Sequence, residues 1–201
     1  MSTSPKKPSA IPAALIAAWR RLYPDPDTKW PGDPGARAAL RRAATPEALL
    51  VEPAFHALLH RMKALGVDFG AGNSSSERYL RLALVAGVLA ERRGTQSALS
   101  SFMHAVGGSP DADDRKLSAL RFQALMTALD KGTGEEKMRT LRRVMTMAAD
   151  KDFNLHAFAR DLINWSDDAR IDWTFDYFGK HHQPVAAKAE TQSTDSEEQL
   201  Q

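Results

Sequence analysis

Arginine residues at helical spacing are the side chains of this sequence most able to bind a ligand. Arg37 and Arg41 are one helical turn apart, Arg42 follows directly, and Lys29 precedes the group. Guanidinium groups stay charged at any cellular pH and form bidentate hydrogen bonds with phosphate oxygens. The spacing therefore predicts a local phosphate-binding patch.

A second arginine cluster has the same character. Arg139 and Arg142 share one face of a predicted helix, and Arg143 aligns with Arg139. Each phosphate that such a group neutralises would release counterions, so binding would weaken as salt rises. Ordinary solvated charge is the alternative for both clusters, and the second could instead form ion pairs with nearby carboxylates, namely Glu135, Glu136 and Asp150.

The remaining arginines allow two interpretations. Arg78, Arg81, Arg92 and Arg93 flank a strongly apolar segment, and Arg121 lies within another. A half-buried arginine is either paired inside the fold or held rigidly toward a ligand. The sequence does not separate these possibilities.

Motifs of known enzymes are missing. The sequence has no glycine-rich phosphate loop, no G-x-S-x-G element and no dinucleotide-binding fingerprint. His56 and His60, at i and i+4, could share a cation, but they lack the glutamate of an H-E-x-x-H motif and a nearby third ligand. Packed or surface histidines are the simpler interpretation, so we expect no catalytic residue, metal or cofactor. A small helical metalloenzyme stays open as a third hypothesis.

Composition indicates a folded intracellular protein. The chain has 201 residues, 43% of them apolar and 26% charged, and no cysteine. Disulfides and thiolate metal sites are thereby excluded, and a reducing compartment is favoured. Its opening residues do not resemble an export signal, and no stretch is long enough to span a membrane. We expect a soluble, cytoplasmic protein without a membrane partner.

The net charge of +2 is unevenly divided along the chain. Residues 181–201 contain one lysine and four acidic residues, a net charge of −3, which leaves +5 for residues 1–180. The remainder is mildly basic, which is compatible with binding phosphates but does not establish it.

The apolar residues recur with a helical period. Leu15, Ala18, Trp19 and Leu22 predict a first amphipathic helix, and no segment alternates like a strand. Residues 79–93 are apolar on nearly every side and predict a central buried helix. Three of the tryptophans, Trp19, Trp165 and Trp173, are predicted to lie in the core, whereas Trp30 could be exposed. We expect about nine helices and an all-α fold.

Capping residues and prolines predict where several helices begin. Thr45 followed by Pro46 predicts one start, Pro53 should bend or interrupt the helix that follows, and Ser74 with Glu77 forms a capping-box pattern. Ser166 with the two aspartates after it predicts the start of the last helix, whose apolar stripe contains Ile171, Phe175 and Phe178.

Composition also suggests a domain organisation. Both ends are rich in small polar residues, which favours mobile tails at residues 1–10 and 181–201. The loop at 66–76 and the turn at 107–111 are possible boundaries between helical bundles. We expect two packed bundles, an N-terminal one at 11–108 and a C-terminal one at 109–180.

Five motifs in order resemble the CasB family, the small subunit of the type I-E CRISPR surveillance complex Cascade. They are W-R-R-L, GDPGARAALRRA, LSALRFQALMTALD, LRRVM and DLINWSDDARIDWTFDYF, and the likeness spans roughly residues 12–179. The resemblance implies an all-helical, non-enzymatic protein of two bundles, present as a pair of copies in Cascade. Its partners would be the backbone and large subunits, the crRNA and the target DNA.

The resemblance also implies a role and a set of contact residues. The family holds the crRNA and target-strand path and steadies the displaced non-target strand of the R-loop, while guide pairing reads the sequence. Six arginines match family positions and are predicted to bind nucleic acid: Arg41, Arg42, Arg81, Arg121, Arg142 and Arg143. A purely structural adaptor, whose arginines pair with acids of partner subunits, is the alternative. Strand assignment, copy number and the role of the acidic tail stay open.

Overall fold

The described part of the chain folds into ten α-helices that pack together. The computed structural model describes residues 10–67, 69, 73–92, 94–107 and 115–179, without the side chains of residues 73–75. No strand occurs among these residues, which confirms the all-α prediction. The helices are α1 Ala10–Arg20, α2 Pro34–Arg42, α3 Pro46–Leu49, α4 Pro53–Ala64, α5 Asn73–Leu89, α6 Phe102–Gly107, α7 Ala119–Lys131, α8 Gly134–Met147, α9 Leu155–Ile163 and α10 Asp167–Tyr177.

Prolines begin three of the helices. Pro34, Pro46 and Pro53 each occupy the first position of a helix, where the missing N–H would have had no intrahelical acceptor. The predicted helix is interrupted at Pro53, one of the two outcomes we expected, and the interruption separates the short α3 from α4. This division accounts for the tenth helix.

Side-chain caps fix several helix starts. The Thr45 and Ser166 hydroxyls accept hydrogen bonds from the backbone N–H groups of Ala48 and Ala169, as the sequence predicts. Thr133 and Glu136 form a complete capping box at α8. Helix α5 begins at Asn73, so Ser74 lies inside the helix rather than at the predicted N-cap position.

Helix α5 lies at the centre of the molecule. All of residues 82–90 are buried, which confirms the predicted central helix. It contacts α1, α2, α3, α8 and α9. A helix that is apolar on all sides is buried only when other helices surround it. Five helices therefore pack around α5.

One continuous hydrophobic core extends from Ala14 to Tyr177. The division into bundles at 11–108 and 109–180 stays a prediction. The predicted tails, at 1–10 and 181–201, lie outside the described residues except for Ala10, as does much of the turn at 107–111. None of the described helices is long and apolar enough to span a bilayer.

The last helix turns a different face to the core than its sequence suggests. Ala169, Trp173 and Tyr177 are buried, whereas the predicted stripe of Ile171, Phe175 and Phe178 is 45%, 38% and 43% exposed. Both sets have helical spacing, so periodicity alone could not choose between them. Tyr177 decides the choice, because its ring stacks on Phe122 with centroids 4.1 Å apart.

Candidate nucleic-acid interface

Arg142 joins three helices through backbone carbonyls. Its Nη1 lies 2.7 Å from the Ala43 oxygen, its Nη2 2.8 Å from the Leu40 oxygen and its Nε 3.2 Å from the Gly87 oxygen. The side chain is only 15% exposed. Three of its five N–H groups donate to these carbonyls, one from each nitrogen, so little of the guanidinium faces solvent. The structure thus gives the Arg142 guanidinium an internal role, and its predicted contact with phosphate stays a prediction.

Glu91 is shared between two arginines. One carboxylate oxygen accepts a hydrogen bond from Arg41 Nε at 3.0 Å, and the other lies 3.6 Å from Arg142 Nε. Burial lowers the pKa of Arg142, and the negative charge of Glu91 opposes that effect. Arg142 remains charged, because an arginine pKa lies far above neutrality. Glu91 therefore helps to compensate a half-buried cation.

Two predicted arginines are exposed beside this junction. Arg42 precedes Ala43, and Arg143 follows Arg142, so each is next in sequence to one partner of the Arg142–Ala43 hydrogen bond. Neither has an ion pair with another described residue. Their guanidinium groups can bind a ligand without breaking an internal contact.

Arg41 and Arg139 lie on the same two helices, α2 and α8. Arg41 is 49% exposed and uses only its Nε for Glu91, which leaves both terminal nitrogens available. Arg139, one helical turn before Arg143, forms a 3.5 Å pair with Glu135 at the surface. Such an exposed pair is weak and exchanges readily. We call Arg41, Arg42, Arg139 and Arg143 the arginine surface.

Arg37 connects α2 to the end of α5. Its guanidinium lies over the Tyr23 ring, 4.9 Å from the centroid, and the Tyr23 hydroxyl donates a hydrogen bond to the Arg92 carbonyl. Burial raises the pKa of Tyr23, so the hydroxyl stays protonated as this bond requires. The arrangement holds the helix that presents Arg41 and Arg42.

Arg81 and Arg121 lie on other parts of the molecule. Arg81 is held by Glu77 and by the Ile163 carbonyl, 3.1 Å from its Nη1. Arg121 is exposed near the start of α7, not half-buried as its apolar neighbours suggested, and no described residue pairs with its guanidinium. Neither residue contacts the arginine surface in the described structure, and nucleic-acid binding by both stays a prediction.

The other flanking arginines serve the fold. Arg92 is 3% exposed and donates to the Lys151 and Gln96 carbonyls and to the Asp152 carboxylate. Burial lowers its pKa, and Asp152 opposes the shift. Arg78 donates to the Phe69 carbonyl, while Arg93 lies outside the described residues.

The aromatic residues follow the sequence prediction in part. Trp19 and Trp173 are buried, and Trp165 is half-buried with its indole N–H 3.0 Å from Asp130. Trp30 is also half-buried, since its indole N–H donates to the Arg21 carbonyl and the Arg21 guanidinium covers its ring. Trp30 is therefore a poor platform for base stacking.

The histidine pair lies on an exposed edge of α4. His56 Nε2 donates to the Leu50 carbonyl at 2.7 Å, and His60 lies one turn further along. Within the described part of the chain, no group of three or more possible metal ligands occurs. The pair instead lines a groove between α4 and α5.

Glu91 is the residue of this site that the sequence did not identify. Its partners lie 50 and 51 positions away, so no local spacing relates them. Arg139 was recognised as part of a cluster but not among the predicted contacts. A carboxylate directly before two arginines, Arg92 and Arg93, was the only available signal.

Two comparisons find similar proteins. The family model described as CRISPR-associated protein Cse2 (CRISPR_Cse2) matches residues 36–178, more than two thirds of the chain. The match includes α2 from its third residue and the whole of helices α3 to α10. No curated protein matches the chain.

A solved structure has a similar fold. One chain in the crystal structure of E. coli Cascade bound to a PAM-containing double-stranded DNA target aligns with 84% of this chain and 94% of its own length. The TM-score is 0.53 and the sequence identity is 22%. At this identity the likeness concerns the fold alone.

Proposed function

Because the chain belongs to the CRISPR-associated Cse2 family, we propose that it is the non-catalytic small subunit of a type I-E Cascade complex. The family match confirms the resemblance to CasB. In the proposed role the protein binds the sugar–phosphate backbone of crRNA and target DNA and stabilises the R-loop with its displaced strand. Base pairing with the guide would read the sequence, so the subunit needs only to attract backbone charge.

The arginine surface carries this proposal. Arg42 and Arg143 come from helices about a hundred residues apart, yet they flank the same Arg142–Ala43 hydrogen bond, which spans 99 positions. Guanidinium groups positioned on a rigid junction can bind adjacent phosphates with little loss of side-chain entropy. An ordinary solvated helix face would not require such a junction.

A salt titration of the purified chain tests the proposal. Replacing both Arg42 and Arg143 by alanine removes two phosphate contacts, so log Kd for a single-stranded oligonucleotide should depend less steeply on log salt, by roughly 1.4 in slope. At low salt the affinity should fall about tenfold or more. Fluorescence anisotropy with a labelled oligonucleotide measures both quantities.

A matched double variant separates local contacts from net charge. Arg20 and Lys131 are exposed and have no ion pair with a described residue, so R20A/K131A removes the same charge elsewhere. It should leave the slope near that of the unmodified chain. Equal effects of the two double variants would contradict a specific arginine surface.

The adaptor role is supported by the apolar face of α10. Ile171, Phe175 and Phe178 keep a large exposed fraction, which is more typical of a protein contact than of a phosphate contact. Partners would be a second copy of the chain and the backbone and large subunits of Cascade. Chemical crosslinking of the assembled complex distinguishes the roles: crosslinks from α8 to protein but never to nucleic acid would favour the adaptor alone.

A further inference from the structure

A groove between α4 and α5 is not used by the proposed arginine surface. It has a volume of about 540 Å³ and is bounded by His56, His60 and Lys63 on α4 and by Tyr79 on α5. The three α4 residues, at i, i+4 and i+7, are all exposed and lie along one edge. The opposite face of α4 is buried in the core.

The floor of the groove is apolar and aromatic. Leu59, Val67 and Phe69 lie at its base, and the rings of Phe69 and Tyr79 are 5.5 Å apart at an angle of 41°. A second cavity of about 350 Å³ shares His56, Leu59 and Tyr79 with the first and adds Leu50, Ser76 and Leu80. The two cavities form one groove that is large enough for a nucleotide-sized ligand.

The described side chains that line the groove include a cation and no carboxylate. Lys63 contributes a full positive charge, and no carboxylate occurs among the described residues that line either cavity. His56 is oriented by its hydrogen bond to the Leu50 carbonyl, so its ring is held at the edge rather than free to rotate. An anionic group placed beside His60 and Lys63 would meet a cationic and a hydrogen-bonding partner, with no carboxylate among the described lining residues.

We propose that the α4–α5 groove binds one nucleotide of a single-stranded nucleic acid, with the base against Tyr79 and the phosphate beside His60 and Lys63. A nucleotide combines a flat apolar ring with an adjacent anion, and the groove offers the complement of both. Stacking on an aromatic ring accepts any base, so this site tolerates any sequence. An acidic peptide would satisfy the cations but leave the aromatic floor uncovered.

The site is independent of the arginine surface. None of the four residues of that surface lines the groove. The two sites also differ in what they recognise, because the arginine surface contacts only phosphate whereas the groove contacts a base. This difference allows separate tests.

Oligonucleotides with and without bases distinguish the two sites. The probes are a thymidine hexanucleotide and an abasic hexamer with the same phosphates, added to the full chain. We expect the thymidine probe to bind about five- to tenfold more tightly. In the H60A/K63A variant this preference should largely disappear, while K131A, which removes an exposed lysine outside the groove, should retain it.

Crosslinking avoids substitution of the half-buried Tyr79, which packs on Phe69. Irradiation of the unmodified chain with a 5-bromouracil hexanucleotide should modify peptides that contain Tyr79 or the segment His56–Lys63. Equal affinity for the two probes, crosslinks only elsewhere, or binding of an acidic peptide instead of the oligonucleotide would overturn the proposal. The arginine surface is tested separately. If it does not bind phosphate, the R42A/R143A variant should bind the abasic hexamer as tightly as the unmodified chain does.

Discussion

The Nη1 atom of Arg142 lies 2.7 Å from the carbonyl oxygen of Ala43, directly after the last residue of α2. A helix ends with carbonyl groups that lack intrahelical partners, and here a guanidinium from α8 donates to two carbonyls at this end, those of Leu40 and Ala43. The bond fixes the position of α2 relative to α8. The relative placement of Arg42 and Arg143 follows from it.

The substitution Arg142→Ala should destabilise the protein. It leaves the Leu40, Ala43 and Gly87 carbonyls without their donor and removes a charge partner of the half-buried Glu91. We expect the free energy of unfolding to fall by about 3 kcal/mol, measured by urea denaturation.

The neighbouring Arg143→Ala is the control for this experiment. Arg143 is exposed and has no ion pair with a described residue, so its removal should change stability by less than about 0.5 kcal/mol. Similar losses in both variants would show that Arg142 has no special structural role.

Glu91 should act on nucleic-acid binding through Arg41. Because Glu91 contacts only Nε, it orients the guanidinium while leaving the terminal nitrogens free. We expect Glu91→Ala to lower affinity for a single-stranded oligonucleotide about threefold, whereas Glu91→Gln, which keeps a hydrogen-bond acceptor, should retain most of it. Anisotropy titrations at constant salt provide the comparison.

A double-mutant cycle identifies the route of this effect. In an Arg41→Ala background, Glu91→Ala should cause no further loss of affinity. An equal loss in both backgrounds would indicate general destabilisation. An increase in affinity for both Glu91 variants would mean that Glu91 competes with phosphate.

Gly107→Ala should disturb the contact between α6 and α10. A Cβ atom at this position would lie 2.5 Å from the Tyr177 carbonyl oxygen and 3.0 Å from its Cα, and backbone atoms cannot move aside as a side chain can. We expect a loss of about 2 kcal/mol in unfolding free energy. At Gly35, where the nearest atom would be 3.8 Å away, the same substitution should be neutral or slightly stabilising. Equal stability of both variants would contradict the close packing of α10.

The helical period was sufficient to predict most of the fold. Leu15, Ala18, Trp19 and Leu22 are buried as expected, and so is the central part of α5. These residues obey a local rule, because an apolar stripe at i, i+3 and i+4 faces the core wherever it is the only one. On α10 two such stripes compete, and only the tertiary contact of Tyr177 with Phe122 selects between them.

The arginine surface could be predicted only in part. Local spacing identified Arg42 and Arg143 as members of basic clusters, and both are exposed. It could not show that Arg142 points inward, because the carbonyls that accept its hydrogen bonds are 55, 99 and 102 positions away. Adjacent residues on a helix differ by 100° in direction, so neighbours of the same type can have opposite roles.

The long sequence separation of the Arg142 contacts has a consequence during synthesis. A nascent chain that has left the ribosome only as far as α7 contains Arg41 and Arg42 but not the residue that fixes the end of α2. The α2 and α8 parts of the arginine surface thus come together only after α8 has been translated and the chain has folded. An incomplete polypeptide would therefore lack the complete phosphate-binding surface that we propose, and only a finished chain could use it.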